Sequence, residues 1–464
     1  MDGREALGDG RADFWVVALL VGILASVGLL PLWPGSDLRA HDLQRLAQCV
    51  VLLLGAVVCG FACPSWSLRW TGLGFGAAAL WSVAQSAHPV VAGQELVLWL
   101  GLCGLAVLAS RCRAESLWVF VMRGLVLGAG AYALIVIALL AGALINAEPL
   151  HARSLCLGFD NPRFLNHCQT VLLPWLAWCT LRDPQRGWRV LAGMGAAVHV
   201  GLAILCLARA TGVAWAVMLL VMLVAGQRQL AWRFVACVAL GVACALLLFD
   251  LLPWLCGQRW ATSFVSPTEL GSDHSRGSLW QRAWQMFVNS PWHGVGPMHY
   301  AAEVKGKAAH PHNIYLQMLA ELGGPAVLLG LAWVVRTLAH GWRSLWAYSL
   351  VAGQLVPAFA AVVAALVDGS FSGNFVMPLS QLLIAVSFGA LLSGLAEASS
   401  PVARSTGRSA AWHFFAVALV ASQGWLLIRA AEQVQRDPPR LRVESPQPLI
   451  DNTMRPRFWL NGWI

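Results

Sequence analysis

Charged side chains are scarce in this sequence. Asp, Glu, Lys and Arg make up 11% of its 464 residues, whereas soluble domains carry about a quarter. This deficit argues against a soluble protein. The net charge of +9 forms no run suited to nucleic acid, so no nucleic-acid partner is expected. The 12 cysteines include no CxxC pair, and a disulfide between Cys156 and Cys256 is an alternative that we do not favour.

Apolar residues, in contrast, occupy 58% of the positions. Stretches of about 20 apolar residues, enough to cross a bilayer, recur along the chain. They predict an all-α polytopic integral membrane protein with about 12–13 transmembrane helices. The predicted spans are 14–33, 46–63, 70–87, 91–110, 117–145, 164–181, 188–208, 213–227, 232–256, 314–335, 346–367, 374–395 and 411–429. Spans 70–87 and 213–227 are short for a crossing. No small-residue cleavage site follows the first span, which is therefore interpreted as an uncleaved helix.

These spans divide the chain into five segments. The first three are N-terminal helices at 1–145, central helices with polar outer ends at 146–256, and a loop with an amphipathic helix at 257–313. The C-terminal helices at 314–429 and a tail at 430–464 follow.

Arginines in the short loops predict the orientation, because Lys and Arg concentrate on the cytoplasmic side of a membrane protein. Alternate connections, all on one side, carry Arg111, Arg113, Arg182, Arg186, Arg189, Arg228, Arg233, Arg336, Arg343, Arg404 and Arg408. Arg39 and Arg45 oppose this pattern but are outnumbered. The N-terminus is therefore predicted inside the cell. The 257–313 loop and the 430–464 tail are predicted outside, in the periplasm of a Gram-negative bacterium.

The first of four polar stretches on the predicted outer side is "GFDNPRFLNHCQTVLLPWLAW". Pro162 is suited to the first turn of a helix, and Asn166 and Gln169, three residues apart, share a face of it. The stretch is interpreted with equal weight as an interfacial collar or as a ligand site.

The second stretch, "LCLARATGVAW", places Arg209 in a very short connection between two apolar helices. Such a connection cannot lift the arginine far from the membrane surface. Taken alone, an arginine that snorkels to the interface is the preferred interpretation, and a cation that awaits an anionic ligand is the alternative.

The third stretch is "GSDHSRGSLWQRAWQMFVNSPWHGVGPMHYAAEVKGKAAHPHN". Trp280, Trp284 and Phe287 lie at helical spacing and predict an amphipathic helix along the outer membrane surface. The prolines and glycines of "SPWHGVGP" end it. Arg276 and Arg282 on this helix either meet lipid phosphates or line a site.

The fourth stretch, "HPHNIYLQMLAELGG", opens the tenth span with His310 and His312. Asn313, Gln317 and Glu321 are four residues apart and form one polar stripe on the helix. An unpaired carboxylate is expensive at that depth in a membrane. An HxH pair can hold a metal, but no third ligand has suitable spacing, and no metal or other cofactor is predicted.

Together these stretches resemble the O-antigen ligase and O-antigen polymerase superfamily, which includes bacterial protein O-oligosaccharyltransferases. The family carries a histidine, then Asn, Ser or Gln, then nine residues and Gly-x-x-Gly. Here nine residues follow His312 and Asn313, Gly323 matches, and Ala326 replaces the second glycine. "SRGSLWQRAWQMFVNSPWHGVGPMHYA" is similar to the family's arginine-containing periplasmic helix, and "ARATG" to its short arginine turn. "NPRFLNHCQTVLLP", "VDGSFSGNFVMPLSQ" and "PRFWLNGWI" are further similar stretches.

The resemblance implies a GT-C-like glycosyltransferase of the bacterial inner membrane, with a periplasmic active site and lipopolysaccharide biosynthesis as its context. It implies inverting, metal-independent transfer of a glycan from undecaprenyl diphosphate to an acceptor hydroxyl, beside membrane lipids. The implied residues are His312 as the catalytic base, Arg209, Arg276, Arg163 and Arg282 as diphosphate ligands, and Asn313, Gln317 and His310 as supporting groups.

The acceptor and one other function class stay open. Lipid A core as acceptor defines an O-antigen ligase, a second glycan a polymerase, and a protein hydroxyl a protein O-oligosaccharyltransferase. A periplasmic 430–464 tail fits the last two better than the first. A flippase or transporter for lipid-linked glycans is expected to carry polar residues through the membrane midplane, for which Glu95, Arg123 and Asp368 are the candidates.

Overall fold

The computed structural model describes residues 14–26, 30, 40–61, 70–258, 274–303, 309–347, 353–398 and 410–436. Within these ranges the chain is helical and contains no strand. The helices are α1 (Phe14–Ser26), α2 (Ala40–Phe61), α3 (Trp70–Gln85), α4 (Pro89–Ala109), α5 (Glu115–Ile145), α6 (Pro162–Arg182), α7 (Arg186–Leu205), α8 (Arg209–Val224), α9 (Arg228–Leu255), α10 (His274–Asn289), α11 (Tyr300–Glu303), α12 (Ile314–Ala347), α13 (Leu355–Asp368), α14 (Pro378–Ala398) and α15 (Ala410–Arg436).

The chain is a polytopic all-α membrane protein. Eight of the described helices are long and apolar enough to cross a membrane, namely α2, α4, α5, α7, α9, α12, α14 and α15. Helices α1, α8 and α13 are shorter and apolar. Each predicted span overlaps a helix, and the two expected to be short, α3 and α8, have 16 residues each. Of the predicted periplasmic tail, residues up to Arg436 belong to α15, and the remainder lies outside the described residues.

One predicted boundary is wrong. Arg336 and Arg343 were expected in a loop, but α12 continues through both to Ala347. The continuation is stabilised by packing, since Gly341 on its buried face lies against the ring of Phe359 in α13. The arginines themselves are exposed, so the helix carries them without burying a charge.

Helix α6 is the centre of the bundle. It packs against α5, α7, α8, α9, α13 and α14, and most of its 21 residues are buried. The predicted start is confirmed, because Pro162 opens the helix and the Asn161 side chain accepts a hydrogen bond from the Arg163 N–H at 2.9 Å. A helix enclosed by protein can carry polar side chains when they bond one another. Asn166 does so, donating to Gln169 Oε1 at 2.8 Å.

Helix α12 is broken at Gly323, whose φ of 77° and ψ of 174° are not helical. A break leaves backbone carbonyls without their helical donors, and these need other partners. The loop between α10 and α11 supplies them. Val295 N–H donates to the Ala320 carbonyl at 2.9 Å, and Gly296 N–H donates to the Glu321 carbonyl at 3.0 Å. The broken helix and this loop therefore form one unit.

Helix α10 packs against α12 through a face that the sequence did not single out. Its buried side chains are Leu279, Ala283 and Met286, whereas Trp284 is 51% exposed. The predicted helix is confirmed, but it lies against protein on one face. Trp284 lies on its exposed face.

The two ends of the bundle differ in their polar contacts. At one end, where α6 and α12 begin and α7 and α13 end, lies His312, and we call it the His312 end. Arg45 is buried there and donates to Gln381 Oε1 at 2.8 Å, so this exception to the loop-arginine pattern has a structural partner. At the opposite end, Arg123 donates to both carboxylate oxygens of Asp183, at 2.9 and 3.0 Å.

Candidate active site

His312 lies two residues before α12 in the left-handed conformation, with φ of 54°. Its N–H donates to His310 Nδ1 at 3.2 Å, and the two imidazole rings meet edge to face with centroids 4.2 Å apart. His310 is buried against Gly373, where a β-carbon would overlap the imidazole. The start of α12 is bonded to the same segment between α13 and α14, because Ile314 N–H donates to the Gly369 carbonyl at 2.8 Å. These contacts hold His312 in a conformation that few non-glycine residues adopt.

The surroundings of His312 favour its neutral form. Burial first, and then electrostatic interaction with Arg276 and with His167, lower the pKa of His312 to about 4, from an ordinary value of about 6.5. The imidazole is therefore neutral near pH 7 and able to accept a proton. An anion bound beside Arg276 would raise the pKa again and strengthen the base.

Helix α10 brings Arg276 to this loop. Trp280, one turn further along, donates its indole N–H to the Pro311 carbonyl at 3.0 Å. That bond ties α10 to the residue directly before His312. Arg276 is exposed, and its charge still acts on the imidazole of His312.

Two further residues reach the site from α6 and α13. His167 Nδ1 lies 3.5 Å from Asp368 Oδ2, and the Ser372 hydroxyl donates to the same carboxylate oxygen at 2.8 Å. Asp368 has no exposed surface and His167 is 6% exposed. Neither was predicted as a site residue. The available signal was an acidic residue at the end of an apolar span, but the sequence did not reveal its partner.

Arg163 holds the turn between α7 and α8. Its Nη1 donates to the carbonyls of Cys206, at 3.3 Å, and of Leu207, at 2.8 Å. Burial, together with the charges of Arg209 and Arg276, lowers the pKa of Arg163 from its ordinary value. Arg209 and Arg276 thus both lie within electrostatic reach of Arg163.

The other two predicted arginines differ in placement. Arg209 is the first residue of α8 and is exposed, so the short arginine turn is confirmed as a structural feature. Arg282 lies on α10 and is half-buried. Six residues separate it from Arg276, which on an α-helix directs the two side chains about 120° apart. The structure therefore brings Arg209 and Arg276 toward one region and directs Arg282 elsewhere.

The predicted supporting residues have structural partners. The Asn313 side chain accepts the N–H of Leu316 at 3.0 Å, which caps α12. Gln317 is buried and donates to Glu321 Oε2 at 3.4 Å, and Glu321 Oε1 accepts the Tyr300 N–H at 3.2 Å. Within the predicted polar stripe, Gln317 and Glu321 therefore form a buried network, whereas Asn313 caps the helix. At the start of α12, the N–H groups of Ile314, Leu316 and Gln317 all donate to acceptors within the protein.

One comparison with known proteins matches a segment that contains several of these residues. A family model described as O-antigen ligase matches residues 196–331. This segment runs from α7 into α12 and contains Arg209, Arg276, His312 and the break at Gly323, whereas Asp368 lies beyond it. A search of the curated proteins finds no match. The matched segment covers less than a third of the chain, is similar to the O-antigen ligase family and indicates a membrane enzyme of the glycosyltransferase type.

Proposed function

We propose that this chain is an inverting glycan transferase that moves a glycan from undecaprenyl diphosphate to an acceptor hydroxyl at the periplasmic face of the bacterial inner membrane. The observation that carries the proposal is that α10 is bonded to the loop of His312 through Trp280 and Pro311, with Arg276 and His167 close enough to act electrostatically on His312. Such a transfer needs a neutral base to accept the hydroxyl proton and fixed positive charge to stabilise the leaving group.

The diphosphate leaving group gathers negative charge as its bond to the anomeric carbon breaks. Exposed guanidinium groups at helix ends can pair with it while the lipid tail stays in the bilayer. Arg209 and Arg276 are the proposed ligands. Arg163 has two backbone carbonyls as partners. Its proposed role is to hold the α7–α8 turn and to add positive charge to the diphosphate site without contacting the diphosphate. Arg282 is the weakest candidate, because it faces another direction on α10.

The acceptor hydroxyl attacks the anomeric carbon from the side opposite the diphosphate, which inverts that centre. The bond from the acceptor oxygen to carbon forms, and the bond from carbon to the phosphate oxygen breaks with its electron pair. The hydroxyl proton passes to His312, whose neutral imidazole is available near pH 7. His310 is proposed to position this base through the bond to the His312 N–H.

The pair formed by His167 and Asp368 supports the same step. The Asp368 carboxylate, which has no exposed surface, lies 3.5 Å from His167 Nδ1 and is proposed to orient that imidazole. His167 in turn acts electrostatically on His312, near the proposed diphosphate position. Because arginines supply the positive charge, the proposed reaction needs no metal ion.

The orientation in the membrane is supported by the position of the loop arginines. Arg182 ends α6 and Arg186 begins α7, at the opposite end from His312. By the positive-inside rule that end is cytoplasmic, so the His312 end would face the periplasm. There a carrier's diphosphate and its polar glycan meet water while the lipid stays in the membrane.

The acceptor decides which enzyme this is. Lipid A core or a second lipid-linked glycan is the proposed acceptor, corresponding to an O-antigen ligase or polymerase in lipopolysaccharide biosynthesis. A protein hydroxyl, as in the protein O-oligosaccharyltransferases, is the alternative. The transporter alternative loses two of its candidates for midplane residues, because Arg123 pairs with Asp183 at one end of the bundle and Asp368 with His167 at the other.

The test is transfer by purified protein from undecaprenyl diphosphate-linked glycan to three acceptors offered in parallel: lipid A core, a second lipid-linked glycan and a serine-containing pilin-like peptide. One acceptor should receive the glycan. His312→Ala and Arg209→Ala should each reduce the rate by about 100-fold or more. His151→Ala and Arg153→Ala are matched controls, because both side chains are exposed in the segment between α5 and α6, and they should retain activity.

Two outcomes would overturn the proposal. Full activity of folded His312→Ala would remove the base assignment. If no acceptor received glycan and the protein instead moved the lipid-linked glycan across the membrane of proteoliposomes, the transporter alternative would be established.

A further inference from the structure

Two cysteines at the His312 end lie side by side. The sulfur atoms of Cys156 and Cys206 are 3.7 Å apart, and each residue is 1% exposed. Cys156 follows the short 3-10 helix between α5 and α6, and Cys206 directly follows α7. The sequence had suggested Cys256 as the alternative partner of Cys156, but Cys256 is exposed, and the sulfur beside Cys156 belongs to Cys206.

We propose that Cys156 and Cys206 are joined by a disulfide bond in the mature protein. A disulfide has a sulfur–sulfur distance of about 2.05 Å, so the two sulfurs must approach by about 1.6 Å from their contact distance. The inference depends on a periplasmic His312 end and is independent of the transfer chemistry, because disulfides persist in the periplasm and are rare in the cytosol.

The reaction removes one hydrogen from each thiol. The two sulfurs are oxidised and joined, and the two electrons and two protons pass to the disulfide of a periplasmic protein disulfide donor, which becomes a dithiol. Burial requires that this exchange take place while the segment between α5 and α6 is still accessible. Afterwards, the contact with Cys206 and burial raise the pKa of any reduced Cys156 thiol above its ordinary value, which makes late exchange slow.

The bond would connect two segments that hold the proposed diphosphate site. The carbonyl of Cys206 accepts a hydrogen bond from Arg163, and Arg209 begins α8 three residues later. Joining Cys156 to Cys206 therefore fixes the turn that presents both arginines. Such a covalent link preorganises an anion site without contacting the anion itself.

The direct test uses the full chain isolated from bacterial membranes. Free thiols are blocked with N-ethylmaleimide in SDS at lysis, and the protein is digested with trypsin without reduction. The expected product is one linked pair of the peptides SLCLGFDNPR, with Cys156, and VLAGMGAAVHVGLAILCLAR, with Cys206. Recovery of both peptides carrying N-ethylmaleimide, with no linked pair, would overturn the proposal.

Variants provide an independent measurement. After blocking and then reduction, a maleimide polymer should label two cysteines in the wild type. It should label neither in Cys156→Ser and in Cys206→Ser. Cys168→Ser is the matched control, because Cys168 is equally buried in α6, and its labelling should equal that of the wild type. Persistent double labelling in Cys156→Ser would assign the disulfide to another pair.

Thermal unfolding separates a crosslink from simple packing. If the sulfurs are bonded, Cys156→Ser, Cys206→Ser and the double variant should lose the same few degrees of melting temperature. If the double variant instead lost the sum of the two single decreases in melting temperature, the thiols would be independent, which would contradict the disulfide. Transfer activity is measured separately, so a missing disulfide and a missing transferase activity are distinguishable results.

Discussion

Replacing Gly323 by alanine should destabilise the protein through its backbone. The φ of 77° and ψ of 174° at this residue belong to a region that is almost restricted to glycine, with a strain of about 1–3 kcal/mol for other residues. An added β-carbon would also lie 2.6 Å from the carbonyl carbon of Trp292 and 2.8 Å from the His293 nitrogen. These are backbone atoms and cannot rotate aside. The total cost should therefore reach roughly 3 kcal/mol or more.

Gly324→Ala is the matched control for this prediction. Its β-carbon would meet the Pro291 carbonyl oxygen at 3.4 Å and nothing closer, and alanine is favoured over glycine in a helix by about 1 kcal/mol. Thermal unfolding of both variants in detergent, at one scan rate, should show a melting temperature several degrees lower for Gly323→Ala only. Equal melting temperatures for Gly323→Ala and the wild type would refute the argument, and so would an equal loss in both variants.

Three further changes probe the site and the opposite end. Arg276→Gln should shift the acidic limb of the pH profile of kcat/KM from near pH 4 to a higher pH. The shift should stop short of pH 6.5, because burial is the larger cause of the low pKa of His312. A limb at the same pH as in the wild type would contradict the charge effect. Asp368→Asn should reduce kcat by about 10- to 100-fold, because a buried charge-assisted contact is worth roughly 1.5–3 kcal/mol; unchanged kinetics in the transfer assay would exclude this role. Arg123→Ala should destabilise the protein by roughly 1–3 kcal/mol through its contact with Asp183 and leave kcat unchanged; a large loss of kcat in the well-folded variant would show that the two ends are coupled.

The helices were predictable from the sequence because a bilayer imposes a length and a composition on each crossing. Arg209 and His312 were also accessible to sequence reasoning, since each is a conspicuous polar residue at the end of an apolar span. The meeting of His167 and Asp368 was not, because about 200 residues separate them and no local pattern encodes the packing of α6 against α13.

Local patterns leave some roles open. Asn313, predicted to support the chemistry, also caps α12, and polar spacing alone does not distinguish a cap from a ligand. The departure from the Gly-x-x-Gly pattern has a structural reason. Gly323 needs a positive φ, whereas Ala326 is fully buried within the helix after the break, where alanine is well tolerated.

The enclosed position of α6 has a consequence for the biogenesis of the protein. Asn166, His167, Gln169 and Thr170 are all buried, and in bare lipid such side chains would oppose insertion. Their protein surroundings include α13 and α14, and α14 begins about 200 residues after α6 ends. At roughly 5–20 residues per second, ribosomes need about 10–40 s to deliver that length. During this interval α6 must remain beside the translocon, an insertion chaperone or its early neighbours α5 and α7.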